Sequence, residues 1–307
     1  MGAAADLRQQ GQGPGPLHRH RRERSHDAEV RQAAVSERPV HAVIGWGRLA
    51  RALVPALRAL GDTVWVGSRQ PEGERLPAAE AAARADWVWL TVPDDHIAGV
   101  AAALPWRAGQ LALHCSGATS LQALAAAPAA AGFHPLRLLA TDTSADWRGY
   151  RVGIEAAPAD AAALTALAER LGLEPLTLPW PMSSGQRAAY HAAANLAASG
   201  VLAVLAEASA LWADAGLSPD AGLGALLPLT RGALATAEAR GLPGAVSGPV
   251  ARGDLAVLKR HLEAAAQRPQ GSALMRALAY KQMELAVQAG RVGEGPRDAL
   301  LALLRQT

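Results

Sequence analysis

The segment Val40-His41-Ala42-Val43-Ile44-Gly45-Trp46-Gly47-Arg48-Leu49-Ala50 constrains the fold more than any other. A short apolar run meets two glycines in G-x-G spacing, Ala50 follows three residues after the second, and an amphipathic stretch runs from Leu49 to Leu60. Such a strand-to-helix turn needs backbone without a Cβ. Gly45 permits the tight turn, Gly47 lets the chain approach a pyrophosphate, and Ala50 allows close helix–strand packing. The free N–H groups at the helix start would then face the phosphates. Gly45, Trp46, Gly47, Arg48 and Leu49 are therefore candidate dinucleotide-binding residues. In a chain this rich in Ala and Gly, the motif takes its weight from the pattern downstream of it.

Downstream, strands and helices alternate. The pattern predicts strands at Val40–Ile44, Thr63–Val66, Asp86–Pro93 and Leu111–His114, with helices at Leu49–Leu60, Pro77–Arg84 and Ile97–Leu104. Past Ala130 the rhythm loosens, with a strand at Arg151–Glu155, a helix at Ala159–Leu171 and a strand at Pro175–Leu178. Strands that are nearly all apolar imply a parallel sheet covered on both faces. The expected first domain is thus an α/β Rossmann doubly wound parallel sheet over residues 38–181, ending near Pro179-Trp180-Pro181. Beyond that break the periodicity is helical: Gln186–Ala215, closed by Gly216, then Pro219–Ala239, Gly253–Ala266 and Ser272–Ala289. An all-α domain is expected over 182–307.

Composition narrows the functional classes. At 307 residues with half of them apolar, the chain can bury two cores, and no uninterrupted apolar run of about 18 residues suggests a membrane span. The net charge of +3 is small for this length, which gives nucleic-acid binding little support. The single cysteine, Cys115, excludes an internal disulfide and fits a reducing, cytoplasmic setting. No metal-ligand spacing stands out. Residues 1–37 lack apolar periodicity and are rich in Gly, Pro, His and Arg, so a disordered tail is expected there, with no signal-peptide pattern.

The end of the second strand speaks to the cofactor. An NAD-binding fold usually places an acidic residue there for the ribose 2′-hydroxyl; here stand Gly67, Ser68 and Arg69. A hydroxyl and a guanidinium suit a 2′-phosphate, so NADP is expected, with Ser68 and Arg69 as its contacts.

Polar clusters fall where this fold holds its ligand. Val92-Pro93-Asp94-Asp95-His96 follows a strand, and Val92 and Pro93 would cover the cofactor. Asp94 or Asp95 could equally cap the next helix, with Asp95 the better candidate. In His114-Cys115-Ser116-Gly117-Ala118, Ser116 is positioned to reach the nicotinamide carboxamide or a substrate carbonyl, whereas Cys115 reads as a buried core thiol. His134, before Pro135, is either an active-site wall or a turn residue. In the helical half His191 and Asn195 are four apart and share a helix face. They are candidates to donate a proton and hold a substrate oxygen. Arg252, in Ser247-Gly248-Pro249-Val250-Ala251-Arg252-Gly253-Asp254, could hold a carboxylate or phosphate, with Asp254 capping the next helix.

Taken in order, G-x-G-x-x-A, VPDD-x-I, HCSGA, HPL, a Gly-Ile-Glu strand, YHAAA, GPVARGD, His261-Leu262 and Tyr280 resemble a known set. They are similar, over about residues 38 to 290, to candidate NADP-dependent oxidoreductases that join a Rossmann domain to a helical domain of unknown function, number 2520. The wider kin are 6-phosphogluconate dehydrogenase-like reductases. The resemblance implies a C-terminal domain of that helical type, NADPH as cofactor and hydride transfer to a small C=O or C=N substrate in an interdomain cleft. It also implies a homodimer through the helical domain. In several relatives a lysine on the first helix after the Rossmann domain donates the proton, with an asparagine one turn on; His191 and Asn195 stand at those places here. A non-catalytic NADP sensor is the competing expectation.

Overall fold

The computed structural model describes residues 38–139 and 146–305. The expected tail, residues 1–37, lies outside the described residues. Contacts divide the chain into two compact units, the first ending at Asn195 and the second beginning at Leu196.

The first unit is built on eight strands: β1 His41–Ile44, β2 Val64–Ser68, β3 Arg75–Pro77, β4 Trp87–Leu90, β5 Leu111–His114, β6 Ala129–Pro135, β7 Arg151–Glu155 and β8 Glu174–Thr177. They form one sheet in the order β3-β2-β1-β4-β5-β6-β7-β8. Helices α1 Arg48–Ala59, α2 Ala78–Ala83, α3 Ile97–Ala103 and α4 Pro158–Arg170 alternate with them. Neighbouring residues of a strand point to opposite faces, and each face has its own core. Val43, Trp89 and Leu113 join Leu53, Leu57, Phe133 and Leu164 on one side, while Ala42, Ile44, Val88 and Leu90 join Ala81, Ile97 and Leu124 on the other. The central strands β1, β4 and β5, predicted from their apolar runs, are buried on both faces as a covered sheet requires, whereas the edge strand β8 is exposed.

The sheet is not wholly parallel. β6 and β7 run antiparallel, pairing Gly132 with Glu155 and His134 with Gly153. An antiparallel neighbour needs no crossover helix, and the segment 136–150 carries no helical periodicity to supply one. β6 is hidden in the sequence because Ala129–Ala131 has low strand propensity. The edge strand β3 is hidden by its length of 3 residues.

α5 Ser184–Asn195 closes the first unit. It continues through a π-helical turn, Leu196–Gly200, into α6 Val201–Asp214, where the sequence pattern predicts one regular helix. The second unit holds α6, α7 Pro219–Ala245, α8 Leu255–Ala265, α9 Pro269–Gln288 and α10 Glu294–Arg305. α7 breaks at Gly241, whose φ of 71° lies outside the helical region. Val250, Leu258, Leu262, Met283 and Leu300 form the core of this unit. Asp254 caps α8, accepting from the Val257 N–H at 3.1 Å, as its position before the helix predicts.

Candidate active site at the strand ends

Parallel strands β1, β2, β4 and β5 lie side by side, so the segments that leave their carboxyl ends share one edge of the sheet. Gly45 turns out of β1 at φ 108°, and its N–H donates to the Gly67 carbonyl at 2.8 Å. A Cβ on Gly45 would lie 3.0 Å from the Thr91 carbonyl and 3.1 Å from Val92 Cγ1. Backbone therefore passes so close here that only glycine fits. Gly47 is the N-cap of α1, makes no side-chain cap bond, and no acidic residue occupies the first turn. The opening N–H groups of α1 lack a side-chain acceptor, which suits an anion.

Trp46 and Leu49 rest against the first core, Arg48 is exposed, Val92 packs against the second core and Pro93 is exposed. Ser68 ends β2 and accepts from the Gln70 N–H at 3.2 Å, with Arg69 exposed beside it. Gly67 fits between Ile44 and Ala78, where a side chain would collide with both.

The loop after β5 is pinned by Ser116. Its hydroxyl donates to Asp94 Oδ2 at 2.6 Å and accepts from the N–H groups of Ala118 at 3.1 Å and Thr119 at 2.9 Å. One proton and both lone pairs are used, so the side chain ties two loops together. Asp94 is thus the carboxylate that joins this loop to its neighbour. Asp95 does not cap α3: that helix has His96 as N-cap with no side-chain cap bond, and Asp95 Oδ1 lies 2.6 Å from His96 Nδ1 instead. A 3₁₀ turn over Asp94–His96 precedes the helix and displaces the cap. Cys115 behaves as the expected core thiol, its pKa pushed up to about 12 by burial.

α5 brings its polar face against the ends of β5, β6 and β7. Arg187 forms a buried ion pair with Glu155, the last residue of β7, and Glu155 Oε1 also accepts from the Met182 N–H at 2.9 Å. His114, at the end of β5, is fully buried and neither ring nitrogen has a hydrogen-bond partner. Burial, with a contribution from Arg187, lowers its pKa to about 4.

Further along the helix, the Tyr190 hydroxyl lies 2.8 Å from His134 Nδ1, and the His134 and His191 ring centroids are 6.4 Å apart. Burial lowers His134 to about 4, with His191 adding to the shift, and burial raises Tyr190 to about 12. A cavity of about 680 Å³ is lined by His191, Asn195, Arg187, Ser184, Ala118 and Ser120, among others.

The predicted pair His191 and Asn195 therefore faces one cavity, beside the loop that Ser116 holds. Arg252 is exposed in the second unit, within the 3₁₀ turn Val250–Arg252. Sequence reasoning missed Glu155, Arg187 and Tyr190 as site residues. The signal for Arg187 was present, because Arg187, His191 and Asn195 recur every four residues on one face. Among the described residues no group of His, Cys, Asp or Glu could hold a metal ion. A separate cavity of about 320 Å³ in the second unit is lined chiefly by apolar side chains such as Leu211, Leu258 and Met275, with Glu207 and His261.

Two family models match in succession: a Rossmann-like domain over residues 26–139 and the domain of unknown function DUF2520 over residues 150–283. No curated protein matches the chain in sequence. Among solved structures, a candidate NADP oxidoreductase from Bacteroides fragilis is 24% identical, with a TM-score of 0.61 over 80% of this chain and 98% of that one. A protein from Thermotoga maritima is 19% identical, with a TM-score of 0.62 over 81% and 99%. A reductive aminase from Aspergillus terreus, in complex with NADPH and ethyl-5-oxohexanoate, is 18% identical, with a TM-score of 0.59 over 88% and 100%. These similarities share the Rossmann-like sheet followed by helices that the structure displays. The chain thus carries a Rossmann-like domain followed by a C-terminal domain that matches DUF2520.

Proposed function

We propose that the protein is an NADP-dependent reductase acting on a small C=O or C=N substrate. One observation carries the reading: the glycine turn, the Ser68–Arg69 pair, the Val92–Pro93 segment and the Ser116 loop all leave the carboxyl ends of adjacent parallel strands. That edge is where open α/β sheets hold dinucleotides. The similarity to NADP oxidoreductases, one of them solved with NADPH, supports the same choice of cofactor. Gly45 and Gly47 give the pyrophosphate a close backbone, flanked by Trp46, Arg48 and Leu49. Ser68 and Arg69 meet a 2′-phosphate.

The hydride chemistry is the cofactor's own. The chain's part is to orient and to protonate. An imidazole N–H of His191 delivers the proton to the substrate oxygen or nitrogen, and the Asn195 amide holds that atom in place. Ser116 acts through its bonds to Asp94 and the loop backbone, keeping the cavity wall fixed. A reducing, cytoplasmic setting is part of the proposal.

His191→Ala is expected to lower turnover by about 10² to 10⁴, the range for general acids, with NADPH affinity retained. Steady-state NADPH oxidation and NADPH titration check this together, and unchanged turnover would sink the assignment. A non-catalytic NADP sensor is the second reading. It is favoured by the histidine at 191, where the resemblance implies lysine. Stopped-flow mixing of the NADPH-bound protein with keto acids and imines separates the two, since a sensor shows no substrate-dependent oxidation.

A further inference from the structure

The His134–Tyr190 contact is closely fitted by its surroundings. A Cβ on Gly117 would lie 2.7 Å from His134 Cε1 and 3.0 Å from His191 Cδ2. A Cβ on Gly153, the β7 residue paired with His134, would collide with the Tyr190 hydroxyl. Two glycines on different segments thus leave slots for one phenol–imidazole bond, and α5 carries His191 as the next residue after Tyr190. Elsewhere the site joins its polar groups in pairs: Arg187 with Glu155, Ser116 with Asp94. Neither pair explains why a tyrosine should reach His134.

A phenol that keeps its proton is a good donor, and a neutral imidazole nitrogen is a good acceptor. A hydrogen bond at one ring nitrogen selects which nitrogen carries the proton. We propose that Tyr190 is a positioning residue of the reaction centre: its hydroxyl donates to His134 Nδ1 and fixes that ring as the neutral Nε2–H tautomer, so that His191 alone of the two imidazoles takes up and delivers the proton. The proposal rests on the reductase reading. The groups facing His134 are His191 and Tyr190 on α5, Asp94 on the loop after β4 and His114 at the end of β5. A second positive charge on His134 would oppose one on His191. Burial, the largest cause, and His191 both disfavour that charge, and the Tyr190 contact at Nδ1 adds the choice of tautomer.

The test uses the full-length protein with NADPH bound. Histidine-selective ¹⁵N NMR should show His134 at pH 7 as the neutral Nε2–H tautomer, and Tyr190→Phe should convert it to a mixture containing the Nδ1–H form. In turnover, Tyr190→Phe should draw the alkaline fall of kcat/KM to lower pH, because His134 now competes for the proton. The double variant Tyr190→Phe/His134→Asn should return that limb to its original position, since Asn cannot be charged. Circular dichroism verifies folding, and His134→Asn alone supplies a second folded reference with the limb unmoved. A wild-type His134 resting in the Nδ1–H form, or a signature unchanged by Tyr190→Phe, overturns the proposal whatever the turnover. So does a limb that the double variant fails to restore. Absence of any wild-type turnover overturns the reductase reading instead, and the tautomer is then decided by NMR alone.

Discussion

His41, His114 and His134 are the residues in which burial most visibly sets the chemistry. His41 sits fully buried on β1, accepting from Trp89 Nε1 at 3.0 Å, with Asp62 Oδ2 3.5 Å from its other nitrogen. All three have pKa values lowered to about 4, with burial the largest cause in each. In the unfolded chain a histidine titrates near 6.5. Between those values the unfolded chain binds protons that the folded chain refuses, so stability is complete above about pH 6.5 and falls as the pH drops toward 4. Each group contributes on the order of 1.4 kcal/mol per pH unit within that window. Urea unfolding at pH 7.5, 6.5 and 5.5 checks this: the midpoint should hold between the first two and drop clearly at the third. Equal midpoints at 6.5 and 5.5 would contradict the assignment. At this scale the sequence exposed single residues but not their pairs. His134, His191 and Asn195 were visible as polar residues in apolar surroundings, whereas Glu155 and Arg187, 32 positions apart, meet only because β7 ends beside α5.

Elements read from the sequence well wherever a local physical rule fixed them. β5 and β7 fall where the apolar runs predict, and Asp254 caps α8. The misses also have local causes. Alanine favours helix over strand and so hides the start of β6, α10 begins just after Gly290 and Gly293 and itself contains Gly295 and Pro296, and the π turn at Leu196–Gly200 has no pattern of its own. The β1–α1 turn is the element on which the cofactor proposal depends, and it can be tested by one methyl group. Gly45→Ala forces an L-residue to φ 108° with its Cβ against the Thr91 carbonyl. Strain of this kind costs about 1 to 3 kcal/mol, and relief requires the turn to move. NADPH affinity, followed by fluorescence titration, should fall at least tenfold while far-ultraviolet dichroism stays unchanged. Undiminished affinity would place the nucleotide elsewhere.

For the molecule as a whole, the open question is what covers its second unit. Leu202 on α6 and Leu229, Leu234 and Leu242 on α7 are more than half exposed, at 58%, 71%, 58% and 64%. The helical run Ser184–Asp214 is long and apolar enough to cross a membrane by length and composition. Its first turns argue against that fate. Arg187 is ion-paired to Glu155 and Tyr190 is bonded to His134, so this end of the run is fastened to the sheet. A bilayer would have to receive charged and aromatic groups already committed to β6 and β7. A protein partner of the same apolar character meets no such obstacle. Apolar side chains left exposed on helices are what an interface between chains covers, and a stable interface buries roughly 1,200 to 2,000 Å² in total. We therefore propose a homodimer through α6 and α7, as the resemblance implies. Sedimentation velocity without detergent should give a particle of twice the 31.7 kDa chain, and Leu229→Glu with Leu234→Glu should shift it toward monomer. Two carboxylates desolvated at such a face cost several kcal/mol, enough to dissociate micromolar protein. A wild-type monomer, or a dimer indifferent to both substitutions, would move the interface away from α7.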